Sequence, residues 1–228
     1  MFDPVLMVIT LVFMGIGMFV STKLKKKFAD YSQTPLQNGM SGKDVAEKML
    51  RDNGIMDVKI TSVEGQLTDH YNPLDKTVNL SSEVYQGRSI ASAAVAAHEC
   101  GHAVQHAKAY SWLMFRSKVV PVVSITSQFI PFVLMGGVLM INIFPQLLLF
   151  GIVIFALSTL FSIITLPVEF DASKRALAWL NTKGYVVGRE ANEAKTALNW
   201  AASTYVMNAI ASIGTLMYYV LLFTDRRD

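Results

Sequence analysis

The chain is poor in charge, in cysteine and in histidine. Only 16% of its 228 residues are charged, against about 25% in an ordinary soluble domain. With 52% of residues hydrophobic, too little polar sequence remains to cover a purely water-facing surface, so membrane-crossing helices are expected. A single cysteine, Cys100, excludes an internal disulfide framework and a cysteine-based zinc site. The formal net charge of +3 is small and scattered. No run of Lys and Arg interleaves with aromatic residues, which argues against nucleic acid as a partner. The one basic cluster, Lys23, Lys25, Lys26 and Lys27, directly follows an apolar stretch and reads as a membrane flank.

Four apolar stretches stand out, each near the ~20 residues that a helix needs to cross a bilayer. The first lacks a basic leader and a small-residue cleavage site, so it reads as a span rather than a cleaved signal. The expected organisation is a first transmembrane helix in residues 1–22, a cytosolic segment in 23–118 and a transmembrane hairpin in 119–166. A second cytosolic segment follows in 167–206, and a fourth span with a short tail in 207–228. Pro121 and Pro131 predict kinks in the second span. Orientation follows from the positive-inside rule. Lys23–Lys27, Arg116, Lys118, Lys174 and Arg175 place both polar segments in the cytosol and both termini outside. Arg226 and Arg227 run against this trend, but Asp225 and Asp228 flank them. The fold class is thus a mainly α multi-pass protein of the cell membrane with a small α+β cytosolic portion.

In the first polar segment, residues 41–54 read as an amphipathic helix, with Ser41 as N-cap, Val45, Met49 and Leu50 on one face, and Gly54 as the stop. Residues 58–63 alternate apolar and polar and predict a strand. Asp69–Pro73 reads as a turn-rich loop, and Thr77–Leu80 as a second strand. Residues 89–107 are rich in Ala and predict a helix.

That helix carries His98-Glu99-Cys100-Gly101-His102. Positions four apart lie about 40° from one another around a helix, so His98 and His102 can aim at one ion. Glu99 sits beside that face, where a carboxylate can hold water and act as general base. This is the HExxH arrangement of zinc peptidases. Cys100 points about 200° away from His98 and is not expected to be a ligand. Nothing in the motif itself requires a glycine at Gly101; close packing of another helix is one reading.

A catalytic zinc takes three protein ligands and leaves one position open. His106 lies one turn further on, but successive positions on one helix cannot easily wrap a tetrahedral ion. The extended HExxHxxGxxH pattern also fails, because Gln105 and Lys108 stand where Gly and His belong. Glu169 is the favoured third ligand. It follows the third span, so two intervening spans return it to the side of His98, and an acidic group at the mouth of a span needs a partner. Asp171 is its rival, and on a helix only one of the two should face the metal. His70 offers itself for oxyanion or substrate contact, although a histidine beside Asp69 also reads as structural. Tyr205 could donate to a tetrahedral intermediate or anchor the interface.

HECGH between an Ala-rich approach and a hydrophobic hairpin, followed by Leu166-Pro167-Val168-Glu169-Phe170-Asp171-Ala172-Ser173, resembles the bacterial neutral zinc metallopeptidases of the YugP type. Asp69–Pro73 and Leu80-Ser81 extend the resemblance over nearly the whole chain. It implies a membrane-embedded metalloendopeptidase, gluzincin-like, with one catalytic zinc ion, a zincin-like catalytic portion and protein or peptide substrates. The site is also similar to that of the CAAX-prenyl-protease and heat-shock-induced membrane proteases, which carry an Asp four residues after the ligand Glu. Ser173 stands at that position here, a departure that puts such a carboxylate in doubt, although its hydroxyl could still hydrogen-bond a ligand histidine and orient the ring. In similar peptidases an edge strand before the active helix pairs with extended substrate, a role that would fall to Thr77–Leu80. The competing reading is a zinc-binding membrane protein for transport, sensing or scaffolding without peptidase activity. The spans lack the row of carboxylates or histidines a transporter needs, and intact Glu99 speaks against a scaffold.

Overall fold

The computed structural model describes residues 4–225. Arg226 and Arg227, weighed above in the orientation, lie outside them. In chain order the elements are α1 (Pro4–Ser32), α2 (Gly42–Asp52), β1 (Lys59–Val63), β2 (His70–Asn72), β3 (Thr77–Ser81), α3 (Ser82–Gln86), α4 (Ile90–Ala107), α5 (Ser111–Ser127), α6 (Ile130–Leu139), α7 (Pro145–Thr182) and α8 (Arg189–Thr224). The fold is mainly helical with one small sheet. Two compact units divide it. One takes the described chain up to Phe19, Phe115–Leu166 and the residues from Thr204 on; the other takes Val20–Met114 and Pro167–Ser203.

In the second unit α4 is the hub. Its alanines Ala93, Ala94, Ala96 and Ala97 are fully buried, and their short side chains let neighbouring elements pack closely around it. Val45, Met49 and Leu50 of α2, Val78 and Leu80 of β3, Val84 of α3 and Leu180 of α7 complete the same core. Removing a large member such as Met49 would cost about 2–5 kcal/mol. α2 starts at a capping box. The Ser41 hydroxyl accepts from the Asp44 N–H at 3.2 Å, and the Asp44 carboxylate accepts from the Ser41 N–H at 2.9 Å. Two otherwise orphaned donors are thereby satisfied.

The sheet corrects two expectations. Its order is β1-β3-β2, with β1 parallel to β3 and β2 antiparallel to it. Thr77–Leu80 is therefore the central strand, not an edge, and has no free side for an extended substrate. The segment expected to be a loop supplies β2, whose His70, Tyr71 and Asn72 pair with Asn79, Val78 and Thr77.

In the first unit Ile130, Leu134, Leu148 and Ile152 form a small core, and Phe155 meets Tyr219 edge-to-face at 6.4 Å. α6 and α7 pack backbone to backbone: a Cβ on Gly137 would lie 2.6 Å from Leu148 Cα. Large apolar side chains face outward, among them Val5, Leu11 and Met18 of α1, Phe132 of α6 and Leu157 of α7. Such a surface suits lipid rather than water. Among the described residues three helices, α1, α7 and α8, are long and apolar enough to cross a membrane; α5 and α6 together make a fourth if they count as one span bent by 48°. The bend lies between Ser127 and Ile130. Pro121 sits inside α5 without ending it, and Pro131 occupies the first turn of α6, where a missing N–H loses no helical partner.

Candidate metal centre

α4 and α7 bring the site together. His98 and His102, one helical turn apart, present their rings at 4.8 Å and 83° to one another. Glu169 reaches them from α7, with Oε2 at 3.3 Å from His98 Nε2 and 3.6 Å from His102 Nε2. All three ligand atoms lie within 4.8 Å of one another. A tetrahedral zinc with bonds of about 2.0–2.1 Å needs ligand atoms about 3.3 Å apart, so the observed spacing fits such an ion. The chemistry fits too. Two imidazole nitrogens and one carboxylate oxygen form a hard-to-borderline donor set for zinc, and Glu169 is only 2% exposed. A buried carboxylate needs compensation by positive charge.

The close approach of the two helices has a cause in the motif itself. A Cβ on Gly101 would lie 2.6 Å from the Ala172 carbonyl oxygen. Glycine at this position lets the α7 backbone rest directly on α4, three residues past Glu169.

Glu99 is 8% exposed and is not among the three converging groups. Burial, reinforced by the Glu169 and Asp69 carboxylates and opposed by His98 and a hydrogen bond from the Tyr71 N–H, pushes its carboxyl up to about 7. A cation nearby would draw it down again. The Tyr71 N–H that reaches Glu99 places the outer edge of β2 beside the site. Asp69, whose burial raises its carboxyl above the usual range, holds the start of β2 against the end of β3. It accepts from the Ser81 N–H at 2.7 Å.

The remaining sequence candidates separate clearly. Ser173 Oγ lies 3.1 Å from His98 Nδ1. Asp171 turns away from the histidines; its Oδ2 accepts from Arg175 Nε at 2.5 Å and from Gln105 Nε2 at 2.8 Å. His70 is exposed and donates from Nδ1 to the Thr68 carbonyl at 2.7 Å. Tyr205 is half-buried on α8, in the other unit. His106 turns to the Tyr71 hydroxyl at 2.7 Å. Cys100 is fully buried against the Ala46 carbonyl, 3.6 Å from Sγ, and burial pushes its thiol well above the usual range. Two contributors went unread in the sequence: Gln105, three residues past His102 on the same face, and the Tyr71 backbone. The i, i+3 spacing to His102 was the available signal for Gln105.

Known proteins share this sequence pattern. The family model described as "Putative neutral zinc metallopeptidase" matches residues 6–224. The chain is similar to "Putative membrane protease YugP" of Bacillus subtilis (strain 168), with 39% identity over 220 residues, covering 96% of this chain and 97% of the relative. No solved structure matches it.

Proposed function

The chain belongs to this family of neutral zinc metallopeptidases, and from that premise we propose that it is a membrane-embedded endopeptidase with Glu99 as general base. One observation carries this reading. His98, His102 and Glu169 converge from helices about seventy residues apart in sequence to the spacing of a zinc site, and the adjacent Glu99 is buried but is not one of them. Zinc, when bound, supplies a Lewis acid that polarises a carbonyl and lowers the pKa of water toward ~7.

The residues around the ion then have separate tasks. A Glu99 carboxylate oxygen takes a proton from the attacking water and delivers it to the leaving amide nitrogen. The Tyr71 N–H holds that carboxylate in place. The substrate is a peptide or protein segment. In this reading α5 and α6 form one broken span, and the four spans leave residues 23–118 and 167–206 on one side of the membrane, taken as the cytosol. The lysines and arginines at the ends of the spans support this orientation. Cleavage then takes place at the cytosolic face of the membrane.

The test is zinc content and peptidase activity of the full-length protein in detergent micelles. The wild type should hold one zinc per chain and lose activity to a chelator, with recovery on zinc addition. Glu169→Ala should lose both metal and activity. Full zinc and full activity in that variant would remove Glu169 from the site.

A further inference from the structure

The geometry points to Gln105 as a positioning residue that sets the tautomer of His102 and ties this ligand to the helix carrying Glu169. The inference rests on the zinc-site reading and deepens it. Gln105 is completely buried. An amide brings one acceptor oxygen and two N–H donors, and leaving any of them unmatched in such a place is destabilising.

All of them are matched, in only one possible way. Gln105 Nε2 lies 2.8 Å from the Val168 carbonyl oxygen and 2.8 Å from Asp171 Oδ2. The first accepts only. The second is a carboxylate oxygen that already receives the Arg175 guanidinium, so it too is an acceptor. An amide oxygen turned toward these two atoms would meet oxygen on both sides. The nitrogen therefore belongs there, and Oε1 is left facing His102 Nδ1 at 3.0 Å. Because Oε1 cannot donate, Nδ1 must carry the hydrogen. The lone pair of His102 is then on Nε2, the atom 3.6 Å from Glu169 Oε2.

The same side chain is anchored on both flanks of the third ligand. Val168 immediately precedes Glu169 and Asp171 follows it by two residues. Gln105 thus couples ring orientation on α4 to the position of α7 through one rigid, buried amide. Groups that orient a ligand histidine in this way commonly change metal affinity about 10–100-fold.

Two substitutions separate positioning from packing. Gln105→Met keeps volume and removes every hydrogen bond. Gln105→Glu keeps an acceptor for the His102 Nδ1–H but puts a second carboxyl beside Asp171. Zinc affinity is measured on the full-length protein in micelles by competition with a chelator. Cobalt substitution adds a visible spectrum that reports ligand geometry, and thermal unfolding of the metal-free protein reports the fold. Positioning predicts that Gln105→Met loses about 10-fold or more in zinc affinity, with an altered cobalt spectrum and a folded metal-free form, and that Gln105→Glu retains more affinity than Gln105→Met. Packing alone predicts the reverse order, with Gln105→Met close to wild type and Gln105→Glu the damaged one; that order would overturn the inference. If Gln105→Glu does not fold, Gln105→Met against wild type decides by the same criterion; if Gln105→Met does not fold, Asp171→Ala decides. It frees one amide N–H and lets the side chain turn, so unchanged zinc affinity and cobalt spectrum there would count against positioning, and a loss in both would support it. A wild-type protein that binds no zinc would overturn the metal-site reading itself and this inference with it. Unchanged zinc binding in all variants would remove the Gln105 role alone.

Discussion

Ser173 Oγ lies 3.1 Å from His98 Nδ1, on the far side of the ring from Glu169. The hydroxyl lies four residues after Glu169, one turn along α7, so a single helical face supplies both the carboxylate proposed to bind metal and a hydroxyl within hydrogen-bond reach of a histidine. In Ser173→Ala the His98 ring keeps its place in the helix but loses this partner. Zinc affinity should fall several-fold, up to about 10-fold, near the lower end of such effects. Ser173→Asp should restore it, because a carboxylate is a stronger acceptor for an Nδ1–H than a hydroxyl. Chelator competition measures both. An alanine form with wild-type affinity would leave the hydroxyl without a part in the site.

Gly101 meets the α7 backbone so closely that a methyl group has nowhere to go. Gly101→Ala must push α7 away from α4 at Ala172, a few residues from Glu169. Overpacking of this kind costs about 1–3 kcal/mol. The expected result is a lower unfolding midpoint together with reduced zinc content, since Glu169 moves with α7. Gly39 provides a control, because a Cβ there would meet nothing within 4 Å and any effect would come from its positive φ alone. A Gly101→Ala protein with wild-type stability and full zinc would show that the helices can separate without cost.

How much of this was legible in the sequence differs from residue to residue. His98 and His102 could be read because helical periodicity puts residues four apart on a shared face, with Glu99 beside it. Glu169 could be read only through the membrane pattern, which limits which segments can return to the same side. Gln105 could be read only in part: its i, i+3 spacing puts it on the face of His102, but its other partners, Val168 and Asp171, lie 63 and 66 residues away. β2 was hidden for another reason. Three residues followed by Pro73 look like a turn, and only pairing with β3 makes them a strand. The alternation in Thr77–Leu80 identified a strand correctly but holds no information about its neighbours, which is why a central strand read as an edge. The break between α5 and α6 falls beside Pro131 and not at Pro121, which stays inside α5.

Cys100 is the only cysteine in the chain, and it is fully buried with a thiol that burial keeps protonated. Only the thiolate reacts at a useful rate. The folded protein should therefore resist maleimides until it is denatured, which makes the natural chain a clean background for topology mapping. Glu64 and Asn142 are both exposed. With a membrane-impermeant maleimide, Glu64→Cys should label only after cells are permeabilised, and Asn142→Cys should label in intact cells. The opposite pattern would reverse the proposed orientation and move the site to the outer face.

Glu99 joins two costs that a single substitution can separate. Its carboxyl is buried and pushed up to about 7, so the ionised form is held in the fold at the expense of stability. Glu99→Gln keeps the shape, still offers an oxygen to the Tyr71 N–H, and replaces an ionisable group with a neutral amide. Metal-free Glu99→Gln should therefore unfold at the same temperature as wild type or higher, as expected where function is held against stability. Zinc content should be unchanged, because Glu99 is not one of the converging ligand groups. Peptide cleavage should fall by about 10²–10⁴-fold, the usual contribution of a positioned general base. The combination of equal zinc, equal or greater stability and lost turnover is specific to a proton-transfer role. A loss of zinc would instead make Glu99 part of the metal site. Wild-type turnover would defeat the mechanism. If the prediction holds, the same variant becomes a trap, and the peptides it retains from a membrane fraction report the sequences the site accepts.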